Sequence, residues 1–304
     1  MAARGRATAL IVLAALGLSA CGSADSTGPA TADGLSVVAT TTMLGEVVGK
    51  LTACAGGQVS ILIPSGADPH DFAPSSQQVA SLVNADVVIA NGLGLEGGLV
   101  DALESAKTDG ATVYDVAPDV SPREFPGTTT PDPHFWFDMS RMAQAVENIG
   151  AQLAVKGGPK YQACAADEAA RIRAAEAKVR QTLESVPAAK RVLVTDHDAF
   201  GYLADAYGYT IAGAVIPSGT TLAEPSTSDL ADLAATIKSR GVTAIFANTN
   251  APQALATAVA GEVGYPVEVV DLYVDSLGAP GSGADTYLGY MQTDATRIAE
   301  ALKG

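Results

Sequence analysis

Histidine, cysteine and basic residues are all scarce in this chain of 304 residues, which contains three His and three Cys. Any metal or catalytic site that depends on imidazole or thiolate therefore has very few candidate residues. Only 18 Lys and Arg stand against 33 Asp and Glu, which gives a formal net charge of −15. This negative charge opposes a phosphate backbone, so we expect no nucleic-acid binding. Its field attracts cations instead.

No apolar run in the sequence is long enough to span a membrane. The most apolar stretch is a short one near the N-terminus. Two arginines precede the uncharged residues 8–20, a stretch too short for a membrane helix of about 20 residues but typical of a secretory signal. The LSAC sequence ending at Cys21 resembles a bacterial lipobox, which implies cleavage before Cys21 and a diacylglyceryl group on its sulfur. The alternative is an ordinary signal peptide with an incidental cysteine. We predict a signal peptide over 1–20 and a flexible tether over 21–34, lipid-anchored to the outer face of the cytoplasmic membrane.

The two other cysteines, Cys54 and Cys164, form an even pair in a chain that we expect to be exported. Disulfides form and persist in such compartments, so we predict a Cys54–Cys164 disulfide. The alternative is a pair of buried thiols. Neither cysteine has a His or a second Cys nearby in the sequence, which argues against a thiolate metal site.

Short apolar runs rich in β-branched residues recur along the chain. Because they are continuous rather than alternating, they indicate strands buried on both faces of a parallel sheet. The eight runs are 35–40, 58–63, 86–90, 111–116, 190–195, 210–216, 243–247 and 267–272.

Helical patterns lie between most of these runs. Ser75 is a candidate N-cap with Gln78 three residues later, and Ser226 is another with Asp229 in the first turn. Alternation of strand and helix predicts an α/β fold with two doubly wound lobes, each with a roughly four-stranded parallel sheet. No internal repeat is detectable in the sequence. The helical segments are 42–51, 75–84, 139–155, 198–207, 226–240 and 251–263.

One long helix is predicted between the two lobes, over residues 159–187. Strong helix formers dominate it, with a proline at each end. Ile172, Val179, Leu183 and Val186 form one apolar stripe along it. The predicted domains are an N-terminal lobe over 35–157, a connecting helix over 158–188 and a C-terminal lobe over 189–304, with the ligand site in the cleft between the lobes.

All three histidines lie at boundaries between loops and regular elements. His70 follows the second predicted strand, His134 precedes a helix, and His197 follows the first strand of the second lobe. Ligands of doubly wound sheets bind beyond the carboxyl ends of the strands, so we predict one metal site built from the three imidazoles. Asp275, after the last strand, is the best-placed fourth ligand, and Asp271 is its rival.

Two of the histidines, His70 and His134, occur in Asp-Pro-His tripeptides that begin with Asp68 and Asp132 respectively. Each aspartate either forms a turn or orients the imidazole that follows it. The neighbouring aromatic residues Phe135, Trp136 and Phe137 are expected to pack in the core.

Several ordered motifs together resemble the metal-binding solute-binding lipoproteins of bacterial zinc/manganese ABC importers. The match covers about residues 35–302. The resemblance implies two α/β lobes bridged by one long helix, with a metal held between them by His70, His134, His197 and Asp275. It also implies delivery of the metal to an ABC permease. The motifs are ADPHDFAPS (67–75), NGLGLEGGL (91–99), DPHFWFD (132–138), DHDAFGYLADAYG (196–208), LAEPS (222–226) and VDSLG with DTY (274–287).

The donor set favours zinc as the cargo, with manganese possible. Manganese-type relatives resemble a site of two histidines and two carboxylates, whereas this chain has His197 at the third position. Imidazole suits zinc better than the harder manganese ion. Zinc-type relatives often carry a His-rich loop before the second ligand, but residues 118–131 contain no His. Because imidazole binds metal only when neutral, the reference pKa predicts that affinity falls below about pH 6.5.

Two other functions compete with metal capture. A zinc hydrolase would need a general base beside an open coordination position, yet the sequence contains no His-Glu-x-x-His helix. A lipid-anchored surface adhesin is also compatible with the N-terminus, but no repeat or aromatic patch indicates one. We therefore expect a monomeric transport component and not an enzyme.

Overall fold

The structure, a computed structural model, describes residues 34–251 and 253–303. The predicted signal peptide, Cys21 and all of the tether but its last residue lie outside this described part. All eight predicted strands are confirmed, with bounds that agree to within two residues. The strands are β1 (Leu35–Ala39), β2 (Gly57–Ile61), β3 (Val87–Ala90), β4 (Val113–Asp115), β5 (Val192–His197), β6 (Thr210–Ile216), β7 (Ala244–Asn248) and β8 (Glu268–Leu272).

The six helices predicted between strands are confirmed, and both capping predictions hold. Ser75 Oγ accepts from the backbone N–H of Gln78 while the Gln78 side chain accepts from the N–H of Ser75, and Ser226 and Asp229 repeat this arrangement. The helices are α1 (Thr42–Ala55), α2 (Ser76–Asn84), α3 (Val100–Thr108), α4 (Met139–Gly157), α5 (Lys160–Glu184), α6 (Gly201–Tyr207), α7 (Thr227–Arg240), α8 (Ala254–Glu262) and α9 (Tyr287–Lys303).

Two of these helices, α3 and α9, were missed in the sequence. The short α3 has only two buried residues, so its apolar pattern is weak. The longer α9 follows the last strand, and alternation with strands gives no reason to expect a helix there. Within the described residues, no helix is long and apolar enough to span a bilayer.

The two parallel sheets have the same topology although the sequence shows no repeat. Their strand orders are β2-β1-β3-β4 and β6-β5-β7-β8, so each strand of the second sheet occupies the position of the strand four earlier in the first. This confirms the prediction of two similar α/β lobes. In both sheets the carboxyl ends of the strands lie along one edge, which is where loops can bring ligands together.

Helix α5 joins the two halves and packs against α1 and α4 of the first and α9 of the second. Its 25 residues span about 38 Å at 1.5 Å per residue. The apolar stripe predicted from the sequence is the buried face of this segment, since Ile172, Val179, Leu183 and Val186 are each at most 2% exposed. A continuous helix with a buried stripe makes a stiff connection between the sheets.

A disulfide links Cys54 on α1 to Cys164 on α5, as predicted. It ties the first lobe to the connecting helix across 110 residues of sequence. The alternative of two buried thiols is therefore wrong.

Replacing both cysteines by serine is expected to lower the free energy of unfolding by about 2–4 kcal/mol, because the unfolded chain regains the freedom that a long closed loop removes. Urea unfolding of the double variant and the parent protein measures this difference. Zinc affinity should stay unchanged, since neither cysteine belongs to the candidate site. Equal unfolding midpoints would show that the disulfide adds no stability.

Candidate metal centre

The structure brings His70, His134, His197 and Asp275 into one buried cluster. One potential ligand atom from each residue lies within 4.8 Å of the other three. His70 lies in the loop between β2 and α2, and Asp275 lies three residues beyond β8. His197 is the last residue of β5 itself, not past the strand as the sequence predicted. Both sheets thus contribute to the cluster from the carboxyl ends of their strands.

The four ligand atoms are buried without any hydrogen-bond partner. The Nε2 atoms of all three histidines and Oδ1 of Asp275 are the unpaired atoms, and none of the four residues is more than 3% exposed. Leaving a buried polar atom unpaired costs about 1–3 kcal/mol, and folded proteins rarely tolerate it. Four such atoms facing one point indicate a place for a cation.

Neighbouring polar groups orient three of the four ligand atoms. His134 Nδ1 lies 2.8 Å from Oδ1 of Asp132, and His197 Nδ1 lies 2.9 Å from Oδ2 of Asp196. Because each Nδ1 lies beside a carboxylate, Nε2 is the nitrogen that each ring directs at the cluster, and it can bind an ion once it carries no proton. The Asn248 side chain donates to Oδ2 of Asp275 at 3.0 Å, which leaves Oδ1 directed at the imidazoles.

The two Asp-Pro-His tripeptides differ in what their aspartates do. Asp132 accepts from the backbone N–H of His134 and also orients its ring. Asp68 accepts from the backbone N–H of His70 and from the Thr221 hydroxyl. The first aspartate therefore positions an imidazole, and the second shapes a turn. The sequence left both roles open for each.

Burial and mutual charge set the protonation of the cluster. Burial, reinforced by repulsion from the other imidazoles, lowers the pKa of His70 to about 2. Burial also opposes protonation of His197, but the carboxylates of Asp196 and Asp275 outweigh it and raise the pKa of His197 to about 9. Burial raises the pKa of Asp275 to about 6 even though His197 and His134 favour its ionised form. At neutral pH the cluster therefore pairs a protonated His197 with an ionised Asp275.

The geometry fits a small divalent cation with three nitrogen ligands and one oxygen ligand. Oδ1 of Asp275 lies 3.9 Å from Nε2 of His134 and 3.8 Å from Nε2 of His197. Ligand atoms of a tetrahedral zinc site, at about 2.1 Å from the ion, are about 3.4 Å apart. Small side-chain movements are therefore enough to close the shell around an ion.

The rival carboxylate, Asp271, lies outside the cluster. It is exposed and accepts a hydrogen bond from the Gln253 side chain. Residue 271 is still within β8, whereas Asp275 lies on the loop beyond the strand. The sequence-based choice of Asp275 over Asp271 agrees with this arrangement.

Trp136 has a role at the site that sequence reasoning missed. The expected core packing is present, because Phe135, Trp136 and Phe137 are at most 1% exposed. Trp136 Nε1 also donates to the carbonyl oxygen of Val274 at 3.2 Å, directly before Asp275. The ligand segments of His134 and Asp275 are thereby joined across the two halves. No sequence signal pairs an indole with a backbone carbonyl 138 residues away.

Two parallel-sheet lobes with a buried cluster of nitrogen and oxygen atoms between them define a two-lobed α/β protein with a candidate cation-binding centre. Comparison with known families agrees with this class. The family described as zinc-uptake complex component A, periplasmic (ZnuA), matches residues 37–301. The chain belongs to this family.

Individual relatives resemble the chain over nearly its whole length. The zinc-binding protein TroA of Treponema pallidum is 33% identical over 290 residues, which cover 90% of this chain and 91% of that protein. The manganese-binding lipoprotein MntA of Bacillus subtilis is 30% identical over 313 residues, covering 97% and 98% respectively. The solved structure of Treponema pallidum TroA has a TM-score of 0.81 at 27% identity, covering 89% of this chain and all of that one.

Proposed function

We propose that this protein is an extracytoplasmic solute-binding lipoprotein that captures a divalent transition metal, Zn²⁺ in first place, and delivers it to an ABC importer. The observation that carries the proposal is the set of four unpaired buried ligand atoms. Membership of a family of transport components supports the same conclusion. No residue of the cluster is assigned a catalytic role.

Capture requires three actions from the chain's own residues. The Nε2 lone pairs and Oδ1 of Asp275 bind the ion, while Asp132, Asp196 and Asn248 keep these atoms aimed at it. His197 must first give up the proton that Asp196 and Asp275 stabilise. Because the ligands come from both sheets, a bound ion also holds the two lobes together, so we expect modest closure on binding.

The choice between zinc and manganese depends on the donor set. Relatives bear names of both kinds, zinc-binding for TroA and manganese-binding for MntA. Three imidazole nitrogens against a single carboxylate favour zinc, because manganese prefers oxygen ligands. Residues 118–131 contain no His, so a relay of metal through this segment is not part of the proposal.

Zinc is expected to displace manganese from the metal-depleted protein, with an affinity higher by at least about a hundredfold, because nitrogen donors and the Irving–Williams order both favour it. A competition titration against a chelator of known affinity measures the ratio. Since zinc would outcompete manganese at many sites, the metal content of protein purified from its native envelope must be measured as well. Predominant manganese in that protein would contradict zinc as the cargo.

The remaining parts of the proposal concern anchoring and partners. The proposed anchor is a diacylglyceryl group on Cys21, which would hold the protein at the outer face of the membrane through residues 22–34. The proposed partner is the permease of the importer. We propose that the protein binds it as a monomer. Labelling with a radioactive fatty acid in the parent and a Cys21→Ala variant tests the anchor.

A further inference from the structure

Residues 118–131 have no task in the proposed function, although they lead directly to His134. The second part of this segment turns back on itself, since the backbone N–H of Asp132 donates to the carbonyl of Arg123 at 2.8 Å. We refer to residues 123–132 as the 123–132 loop. Its closure places the Arg123 side chain beside the carboxylate that orients His134.

Arg123 bridges the two halves of the protein. Its Nη1 donates to Oδ2 of Asp132 at 3.0 Å, and its Nε donates to Oδ2 of Asp205 on α6 at 2.9 Å. The Asp132 side chain is completely buried, whereas that of Asp205 is 63% exposed. One guanidinium can hold two carboxylates in this way because its donors are arranged in a rigid fork.

The second half has a matching place for the guanidinium. A Cβ atom at Gly201 would overlap Arg123 Nη1, so only glycine leaves room there. The next residue, Tyr202, accepts from the backbone N–H of Arg123 at 3.0 Å and donates to the carbonyl of Asp132 at 2.8 Å. Both ends of the 123–132 loop are therefore attached to the start of α6.

The same loop covers His134 at a second point. The Phe125 and His134 rings make an edge-on contact, with 6.4 Å between centroids and 69° between their planes. A Cβ at Gly219 would overlap the Phe125 ring, so this contact with the second half also depends on glycine. The 123–132 loop thus lies over one ligand and touches the opposite half at two glycines.

We propose that Arg123 is a latch between the lobes that slows metal release. It is a positioning residue, because it acts on the ion through Asp132 and His134 and does not bind the ion itself. The proposal rests on the proposed function for the metal site. Opening the 123–132 loop requires the ion pair between Arg123 and Asp205 to separate. Asp132, and the His134 ring that it orients, then lose this link to the second lobe.

The test compares Arg123→Met and Asp205→Asn with a control, Arg173→Ala. The control also removes an ion pair of a guanidinium, because Arg173 makes a bidentate contact with both carboxylate oxygens of Glu147 at 2.8 Å. This pair differs in its place, since it joins α5 to α4 on the surface. The rate of zinc release into excess chelator is measured for each variant. Amide hydrogen exchange of the 123–132 loop is measured in the metal-free proteins.

Release is expected to be about ten- to a hundredfold faster in Arg123→Met, the usual cost of losing a group that supports a ligand. Asp205→Asn should accelerate release about two- to fivefold, because its ion pair is exposed. Both variants should exchange faster in the 123–132 loop, and Arg173→Ala should match the parent in both measurements. If Arg123→Met fails to fold, Arg123→Lys replaces it and should give a smaller acceleration, since lysine keeps the charge without the fork.

Rates and exchange equal to the parent in both latch variants would overturn the proposal. A faster release in Arg123→Met with no change in Asp205→Asn would also overturn it, because Arg123 would then serve Asp132 alone. A parent protein that binds no metal would instead contradict the proposed function. The exchange experiment still decides the latch in that case, since it needs no metal.

Discussion

Replacing His197 or Asp275 by alanine is expected to weaken zinc binding by about two to three orders of magnitude. Apparent binding free energies of four-ligand zinc sites are about 10–16 kcal/mol, so each ligand accounts for about 2.5–4 kcal/mol if they share equally. His197 ends the inner strand β5, whereas Asp275 follows the edge strand β8, so the two residues reach the ion from different strands of the second sheet. Competition with a chelator measures the loss in each variant.

Asp271→Asn is the matched control for Asp275→Ala. Both aspartates flank the end of β8, but Asp271 is exposed and lies outside the cluster. Its substitution should leave zinc affinity at the parent value. Strong binding retained by Asp275→Ala, or lost in Asp271→Asn, would show that the wrong carboxylate has been assigned.

Zinc affinity is expected to rise about tenfold per pH unit between pH 6 and pH 8, and to level off as the pH approaches 9. Because the pKa of His197 is raised to about 9, this residue carries a proton throughout that range, and binding must release it. Below pH 6 the curve should steepen, since the pKa of Asp275 is raised to about 6 and a second proton then competes with the ion. The reference imidazole value predicts a decline only below about pH 6.5. The measurement is the association constant as a function of pH.

Asp196→Asn provides the control for this pH dependence. The Asp196 carboxylate is the largest attractive influence that raises the pKa of His197, so its removal should flatten the curve between pH 7 and pH 9. Calorimetry in buffers of different ionisation enthalpy counts the released protons directly. A parent curve that is already flat in this range would mean that His197 is neutral before the ion arrives.

The sequence predicted the sheets well because their strands are buried on both faces. Runs such as that around Val87–Ala90, where every residue is buried, leave a continuous apolar signal. The helix α9 lacked the alternation with strands that identified the others, although Tyr287 and Tyr290 on it are fully buried. The repeated strand order was also invisible, because topology depends on which strands pair and not on similar residues.

At the site, residues that touch the ion were easier to predict than residues that support them. Histidine is so rare here that its three positions alone indicated a cluster. Asp196 and Asp132 adjoin or nearly adjoin a histidine, so their role could be suspected from spacing. Asn248 and Arg123 reach their partners across 27 and 82 residues of sequence respectively. Only the fold brings such pairs together, and a pattern in a single sequence does not indicate contacts between distant residues.

The hydrogen bond from Trp136 to Val274 has a consequence for engineering metal preference by recombination. In a chimera that takes residues 189–304 from a manganese-binding relative, the relative's loop at positions 273–277 would have to pack against Trp136 of this protein. Tyr287 and Tyr290 of α9 complete the same junction, donating to the carbonyl oxygens of Trp136 and Val274. The smallest transplantable unit is therefore discontinuous, and it comprises residues 132–137, 273–277 and the first turn of α9.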